Sequence, residues 1–423
     1  MATVPTVIPA HLPKRLTISF PIWGLMHTYE DSVYADLDQF VKEHVERSFN
    51  CIRLESFAGL THDIHGNRRG PVAMGPAFGH FDILMRQIIT NGRHGSCDFM
   101  ERTIQLFEAA KKYNVFIALS SWYYLHTFWM VEEPGINDEM YAIAPLDRFM
   151  VFAKYLHYIL VELEERGLDD RIAFAEIFNE ADGLPFVDGY GHAKHRPVEE
   201  LHQFRAAHGE AIAWLKQQHP QILFAFDSYT YWPDENQVPD TMQVYNFHNY
   251  YLWNIYTALE KNDELNEDLL LGKYTVEDVK RTREGKYPAA EDWYRRDWYY
   301  NELDPAKIDK AEAFLADYMV AHIEDYRQRL LKSINHMTAF AAEHFPGIPL
   351  VTAEGTTYCG SKLLLWEDKD ENYWKLVEEA TLAYKKAGLW GVIPRTCCGP
   401  EDSLWYSDPD KFKRVNDLFL AEE

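Results

Sequence analysis

An α/β protein folded as a closed (β/α)8 TIM barrel, with long insertions in the loops after strands two and six, is predicted by three features of this 423-residue chain. Eight short β-rich runs are present, helical runs lie between most of them, and no repeat, low-complexity stretch or linker divides the sequence. Strands alternating with helices imply a parallel sheet, and a barrel with insertions reaches this length as one unit, so residues 1–423 are expected to form a single domain.

Taken in order, the expected strands are RLTISF (15–20), NCIRLES (50–56), VFIALSSW (115–122), RIAFAEIFNE (171–180), LFAFDSY (223–229), QVYNFHNY (243–250), PLVTAEGT (349–356) and WGVIPRT (390–396). Each is rich in β-branched or aromatic residues and bounded by turn formers. Between them, FMERTIQLFEAAKKYN reads as a helix opened by Asp98 as N-cap, and DRFMVFAKYLHYILVELEERG as one closed by Gly167. DYMVAHIEDYRQRLLKSINHMTAFAAEHFPG reads as one helix stopped by Pro-Gly, and NYWKLVEEATLAYKKAG as one stopped by Gly388. The link TYWPDENQVPDTM between strands five and six is too short and Pro-rich for a full helix. The link 251–305 after strand six is long, and is expected to form a lid or pocket wall on the barrel mouth.

Composition narrows the function. A formal net charge of −24 argues against nucleic acid, an anionic membrane surface or a polyanion as partner, and leaves a neutral ligand natural. The aromatic share of 15% exceeds what a core alone requires and suits stacking on a ligand, although an aromatic-rich core is the plainer account. Five Cys, an odd number at wide spacings with Cys397 and Cys398 adjacent, form no disulfide framework. The opening residues lack the basic and apolar regions of a signal peptide, and no apolar run reaches a membrane span, so a soluble cytoplasmic protein with reduced thiols is expected. Homo-oligomerisation stays open.

The stretch FAEIFNEADG (174–183) poses the functional question, because an apolar strand here ends in Asn179-Glu180. A buried carboxylate without a counter-charge costs several kcal/mol, so Glu180 needs a partner or a task. Barrel active sites are built at the carboxyl ends of the strands, and Glu354 stands at the end of the seventh as Glu180 does at the end of the fourth. Two such carboxyls are what glycoside hydrolysis uses, one to protonate the leaving oxygen and one to attack the anomeric carbon or activate water.

With these residues in place, the sequence resembles the clan A glycoside hydrolases, most closely the cellulase-like family 5 branch. The resemblance rests on Asn179-Glu180 on strand four, Glu354 on strand seven, Arg53 in CIRLES, His126 in SSWYYLH, and His248-Asn249-Tyr250 in YNFHNYY. It implies a retaining β-glycosidase that uses no cofactor, with Glu180 as acid and base and Glu354 as nucleophile, supported by Arg53 and the Tyr250 hydroxyl. It also implies that Asn179 bonds the sugar 2-hydroxyl, and that His248 and His126 orient the acid and bind a hydroxyl. Trp122, from the same run as His126, belongs with these supporting residues. The departure is on strand eight: where the family presents a Trp flooring the cleaved-sugar subsite, GVIPRT puts Arg395, so that Trp405 or Trp366 would have to supply the floor, or the subsite differs.

Rival accounts accompany these assignments. Alternation along the strands puts Glu55 beside Arg53 and Glu176 beside Glu180, so an interior ion-pair network explains them equally well. Asp182 and Asp227 contact hydroxyls or cap a turn. Cys359 lines the pocket wall or is a buried small hydrophobe. His62, Asp63 and His65 do not complete a metal-ligand set, and no metal is expected. Two other classes remain as alternatives, a sugar-binding barrel without catalysis and a metal-dependent barrel enzyme. The loop aromatics Trp253, Trp293, Trp298, Tyr299 and Tyr300 favour a blind pocket and exo-action on short β-linked substrates.

Overall fold

The computed structural model describes residues 5–21, 32–74, 95–122, 131–182, 196–252, 254–262, 308–357, 364–396, 398–400 and 402–422. All eight expected strands form: β1 (Leu16–Ser19), β2 (Cys51–Glu55), β3 (Phe116–Ser120), β4 (Ile172–Glu176), β5 (Phe224–Ser228), β6 (Val244–Asn249), β7 (Leu350–Gly355) and β8 (Gly391–Val392). Every neighbouring pair is parallel, and β1 bonds both β2 and β8, which closes the sheet. The strands are buried throughout, as strands covered by helices on one side and filled by side chains on the other must be.

The helices begin and end for local reasons. Phe99–Tyr113 starts where the Asp98 side chain accepts from the Glu101 N–H, and stops at Asn114 in the left-handed region. Arg148–Glu165 is followed by Gly167 at φ +62°, and Glu371–Lys386 by Gly388 at φ +79°. The expected single helix before β7 is two, Ile308–Ala321 and Ile323–His344, because the chain breaks at His322, whose Nδ1 lies 2.8 Å from the Tyr318 carbonyl. The β5–β6 link runs as turns, as its prolines dictate. After β2 the chain adds an antiparallel pair, Pro71–Met74 with Gly95–Asp98, which the sequence did not reveal. Most of the 251–305 insertion lies outside the described residues, as do His126, Cys359, Trp253, Trp293, Trp298, Tyr299 and Tyr300.

Two expectations change. Strand eight spans two residues rather than seven, since Pro394 cannot donate to a ladder. Much of the aromatic excess goes into the interior: Trp366, Trp374, Trp390, Trp405, Tyr155, Tyr251 and Tyr373 are all buried. Cys51, Cys97 and Cys398 are buried, and no described helix is long and apolar enough to cross a membrane.

At the β6–β7 edge two backbones approach closely. A Cβ placed on Gly355 would meet the Asn249 carbonyl oxygen at 2.8 Å, and backbone cannot yield as a side chain does. Gly355→Ala is therefore expected to destabilise the fold by about 1–3 kcal/mol, read as a lower urea midpoint at unchanged slope.

Candidate active site

The site is assembled from strand ends. At the tip of β4 the chain leaves the sheet after Glu176 and turns through residues 179–182, with Glu180 at φ +50°. The pleat therefore does not reach Glu180, and its direction is set by the turn rather than by alternation. Phe57 after β2 and Thr356 after β7 also lie in the left-handed region, at φ +53° and +72°. Non-glycine residues in this region are strained, and such strain concentrates where a side chain must be aimed.

Arg53 on β2 sits at the centre with no exposed surface. One terminal nitrogen donates to Glu354 Oε1 at 2.6 Å. The other donates to Asp227 Oδ2 at 2.6 Å, Asn179 Oδ1 at 2.7 Å and Glu176 Oε2 at 2.9 Å. Trp122 lies beneath the guanidinium at 4.4 Å and itself stacks on Phe20. Burial alone would lower the Arg53 pKa, but Glu176, Asp227 and Glu354 outweigh it and raise the value, so the charge is permanent.

The two candidate glutamates converge on the mouth side of this centre. The Tyr250 hydroxyl donates to Glu354 Oε2 at 2.5 Å, so both oxygens of Glu354 are held. His248 Nδ1 lies 2.5 Å from Glu180 Oε1 and 3.6 Å from Glu354 Oε2. Burial raises the Glu180 pKa; His248 opposes this, Glu354 and Asp227 add to it, and the net direction is upward. Burial would lower the His248 pKa, but Asp227, Glu354 and Glu180 raise it well above the ordinary imidazole value. One donor atom each from Glu180, His248 and Glu354 lie within 4.8 Å of one another. That is also the spacing of a three-donor metal set, yet Arg53 and Tyr250 already take both oxygens of Glu354.

Sequence reasoning and structure meet at Glu180, Glu354, Arg53, Asn179, His248, Tyr250 and Trp122, which are brought together. Glu176 pairs with Arg53 as the rival account expected, so an interior ion-pair network and the paired glutamates coexist, whereas Glu55 accepts from the backbone N–H groups of Phe57 and Trp122. Arg395 and Trp405 are not brought to the site. Arg395 is buried against Asp402 and Asp368, between the chain after β8 and the short helix Trp366–Lys369. Trp405 packs on Phe49 and Arg47 and donates to Glu43, while Trp366 donates to Tyr256. His62 pairs with Glu162, and Asp63 accepts from the backbone of His65 and Asn67. Asp182 accepts from Ser228 and from the Tyr229 backbone. The reading missed Asn246, whose amide donates to Glu176 at 2.8 Å and Asp227 at 2.6 Å; its signal was the alternation that puts it on the face of His248.

A closed parallel barrel with paired glutamates at the ends of β4 and β7 defines the clan A type of sugar-handling barrel. The chain belongs to the cellulase-like family described as sugar-binding cellulase-like, which matches residues 19–420. Among solved structures it is similar to a Parabacteroides distasonis protein proposed to be a glycoside hydrolase, at 17% identity and TM-score 0.66, covering 96% of this chain and 93% of that one. A cellulase of glycoside hydrolase family 5 affiliated with Bacteroidetes aligns at 12% identity and TM-score 0.49, covering 97% and 93%. A family 5 mannosidase from Rhizomucor miehei aligns at 10% identity and TM-score 0.47, covering 96% and 94%. Comparison with curated protein sequences gives no match.

The buried carboxyls make stability depend on pH. Burial pushes Glu55 up to about 8 and Asp182 to about 7, so the folded chain keeps protons that the unfolded chain has released. Their stabilisation is complete below the unfolded carboxyl pKa and is lost as pH rises through 7 and 8. Burial lowers His44 and His208 to about 3, which makes stability rise with pH only up to the unfolded value of 6.5. Unfolding free energy is therefore expected to fall, by on the order of 1 kcal/mol, between about pH 6.5 and about pH 8.5 in urea titrations. A rise over that window would contradict the protonated carboxyls.

Proposed function

We propose that the protein is a retaining β-glycoside hydrolase for short, neutral β-linked oligosaccharides or glycosides. The observation that carries this reading is the pair Glu180 and Glu354, with one oxygen of each within 4.8 Å at the ends of β4 and β7. Retaining enzymes separate their carboxyls by about 5–5.5 Å, and inverting enzymes, which fit a water between them, by about 6.5–9.5 Å. The environments also differ in the required sense. Glu180 is pushed toward the protonated form, as a general acid needs, whereas Glu354 receives donors on both oxygens, as a nucleophilic carboxylate needs.

In this mechanism Glu354 attacks the anomeric carbon while Glu180 protonates the departing oxygen, giving an α-linked glycosyl ester. Glu180, now ionised, takes a proton from water, which attacks the same carbon and releases the β sugar. Asn179, anchored through Oδ1 to Arg53, is assigned to the 2-hydroxyl, whose contacts strengthen as positive charge develops on the ring. The family's description as sugar-binding also accommodates a barrel that binds without cleaving. Such a barrel has no need of two glutamates in different environments.

A panel of aryl β-glucosides, β-mannosides and β-galactosides identifies the sugar. With the accepted substrate, proton NMR should show the β anomer released first, and first appearance of the α anomer would remove the retaining assignment. Glu354→Ala should lose turnover and recover with azide to give the α-glycosyl azide. Glu180→Ala should lose about 100- to 10,000-fold on poor leaving groups, hold activity on good ones, and give the β-azide. Near-normal turnover of both variants on a poor leaving group would show that neither glutamate is catalytic, whereas sugar binding without turnover by the unaltered protein would leave the sugar-binding reading.

A further inference from the structure

Asp227, on β5, is fully buried and reaches the candidate acid by two routes, directly at its backbone and through His248 at its side chain. Its Oδ1 accepts the backbone N–H of Glu180 at 2.8 Å, at the residue held at φ +50°. Its Oδ2 lies 3.2 Å from His248 Nε2, off the line of a hydrogen bond, while the other nitrogen of that ring meets the Glu180 carboxyl at 2.5 Å. The chain of contacts from the Glu180 backbone through Asp227 and His248 back to the Glu180 side chain is therefore closed. Arg53 and Asn246, each donating to Oδ2 at 2.6 Å, fix Asp227 itself against β2 and β6.

Each arm has a physical purpose. A glutamate in the left-handed region relaxes unless something holds its amide, and the Oδ1 bond supplies that restraint. The carboxyl must also stay aimed at the leaving oxygen, since misplacement by about 1 Å costs about 100-fold. An imidazole held on its far side by an anion supplies that aim. Building on the glycosidase reading above, we infer that Asp227 is a positioning residue that sets the backbone turn and the side-chain direction of the acid Glu180. It reaches the sugar only through Glu180, because its own oxygens are spent on the four groups around it.

Asp227→Asn tests this, because a carboxamide keeps the shape but cannot accept from Glu180 on one side and from Arg53 and Asn246 on the other. Rates are measured with 4-methoxyphenyl and 2,4-dinitrophenyl β-glycosides of glucose and mannose. Competent sites are counted by the dinitrophenolate burst from the 2-deoxy-2-fluoro analogues. Per competent site, kcat/KM on the 4-methoxyphenyl substrate should fall by about 100-fold, while on the dinitrophenyl substrate, which leaves without protonation, it should fall by less than about fivefold. An equal loss on both, or no loss, overturns the inference, since a merely structural role would not discriminate by leaving group. In a Glu180→Ala background Asp227→Asn should add no further selectivity, and an added selective loss would show that it acts elsewhere. If Asp227→Asn yields no titratable sites, Asp227→Glu keeps the charge against Arg53, displaces the acceptor from the Glu180 amide, and must show the same selective loss. If Glu180→Ala itself shows no leaving-group selectivity, the glycosidase assignment fails; if Glu180→Ala shows it and the Asp227 variants do not, only the positioning role fails.

Discussion

A guanidinium with no access to water is tolerated only if its charge is answered, because the effective penalty for burying one ion is several kcal/mol. Around Arg53 the answers come from three other strands: Glu354 on β7, Asp227 on β5, and Glu176 with Asn179 on and beyond β4. β6 joins through Asn246, which bonds two of the same carboxylates and also accepts from the Ala353 backbone on β7. Removing one partner from such a set leaves the others buried and uncompensated, so each member constrains the rest. The register of the barrel and the placement of the candidate catalytic groups are thus one electrostatic problem. Trp122 and Phe20 face the same guanidinium, so two of the chain's many aromatic residues serve the site electrostatically rather than as open stacking surface.

The strain at the strand ends follows from this arrangement. Arg53 draws its partners inward, whereas a reacting carboxyl must stand at the mouth, where a sugar can reach it. Glu176, still within β4, stays at the Arg53 level and meets it directly. Glu180, four residues on, turns outward through a left-handed conformation and keeps about a fifth of its side-chain surface exposed. Two glutamates near one strand end are sorted by backbone conformation into a structural one and a candidate catalytic one.

Much of this was legible in the sequence because barrel strands announce themselves by composition and order. The eight runs, the Asp98 cap and the glycine stops at 167 and 388 rest on local chemistry, which the fold does not override. Arg53, Glu354, Asn179-Glu180 and His248-x-Tyr250 were readable from their order along successive strands. Asp227 was read as a cap or a hydroxyl contact because sequence shows the end of a strand but not which groups face it across the barrel. Arg395 and Trp405 were misdirected for a related reason. They lie beyond a strand only two residues long, where the pleat no longer sets direction, so distant partners decided their places.

Arg395 also shows why the departure on strand eight is more than a missing aromatic. Its guanidinium bonds Asp402 and Asp368, Ser403 bonds Asp368, and the Lys411 ammonium donates to the Asp368 carbonyl. This second buried ion cluster ties the segments that follow β7 and β8 to each other and to the C-terminal helix Pro409–Leu420. Trp374 and Phe412 flank the same guanidinium, and Trp405 fills the space beneath that helix. The chain past β8 is consequently anchored outward, into the helical layer, rather than laid across the barrel mouth. An aromatic floor carried on that segment would have to forgo these ion pairs, each with both partners nine-tenths buried. Among the described residues, the Glu354 side of the candidate site is therefore shaped by Tyr250, just after β6, and by the short turn at Thr356.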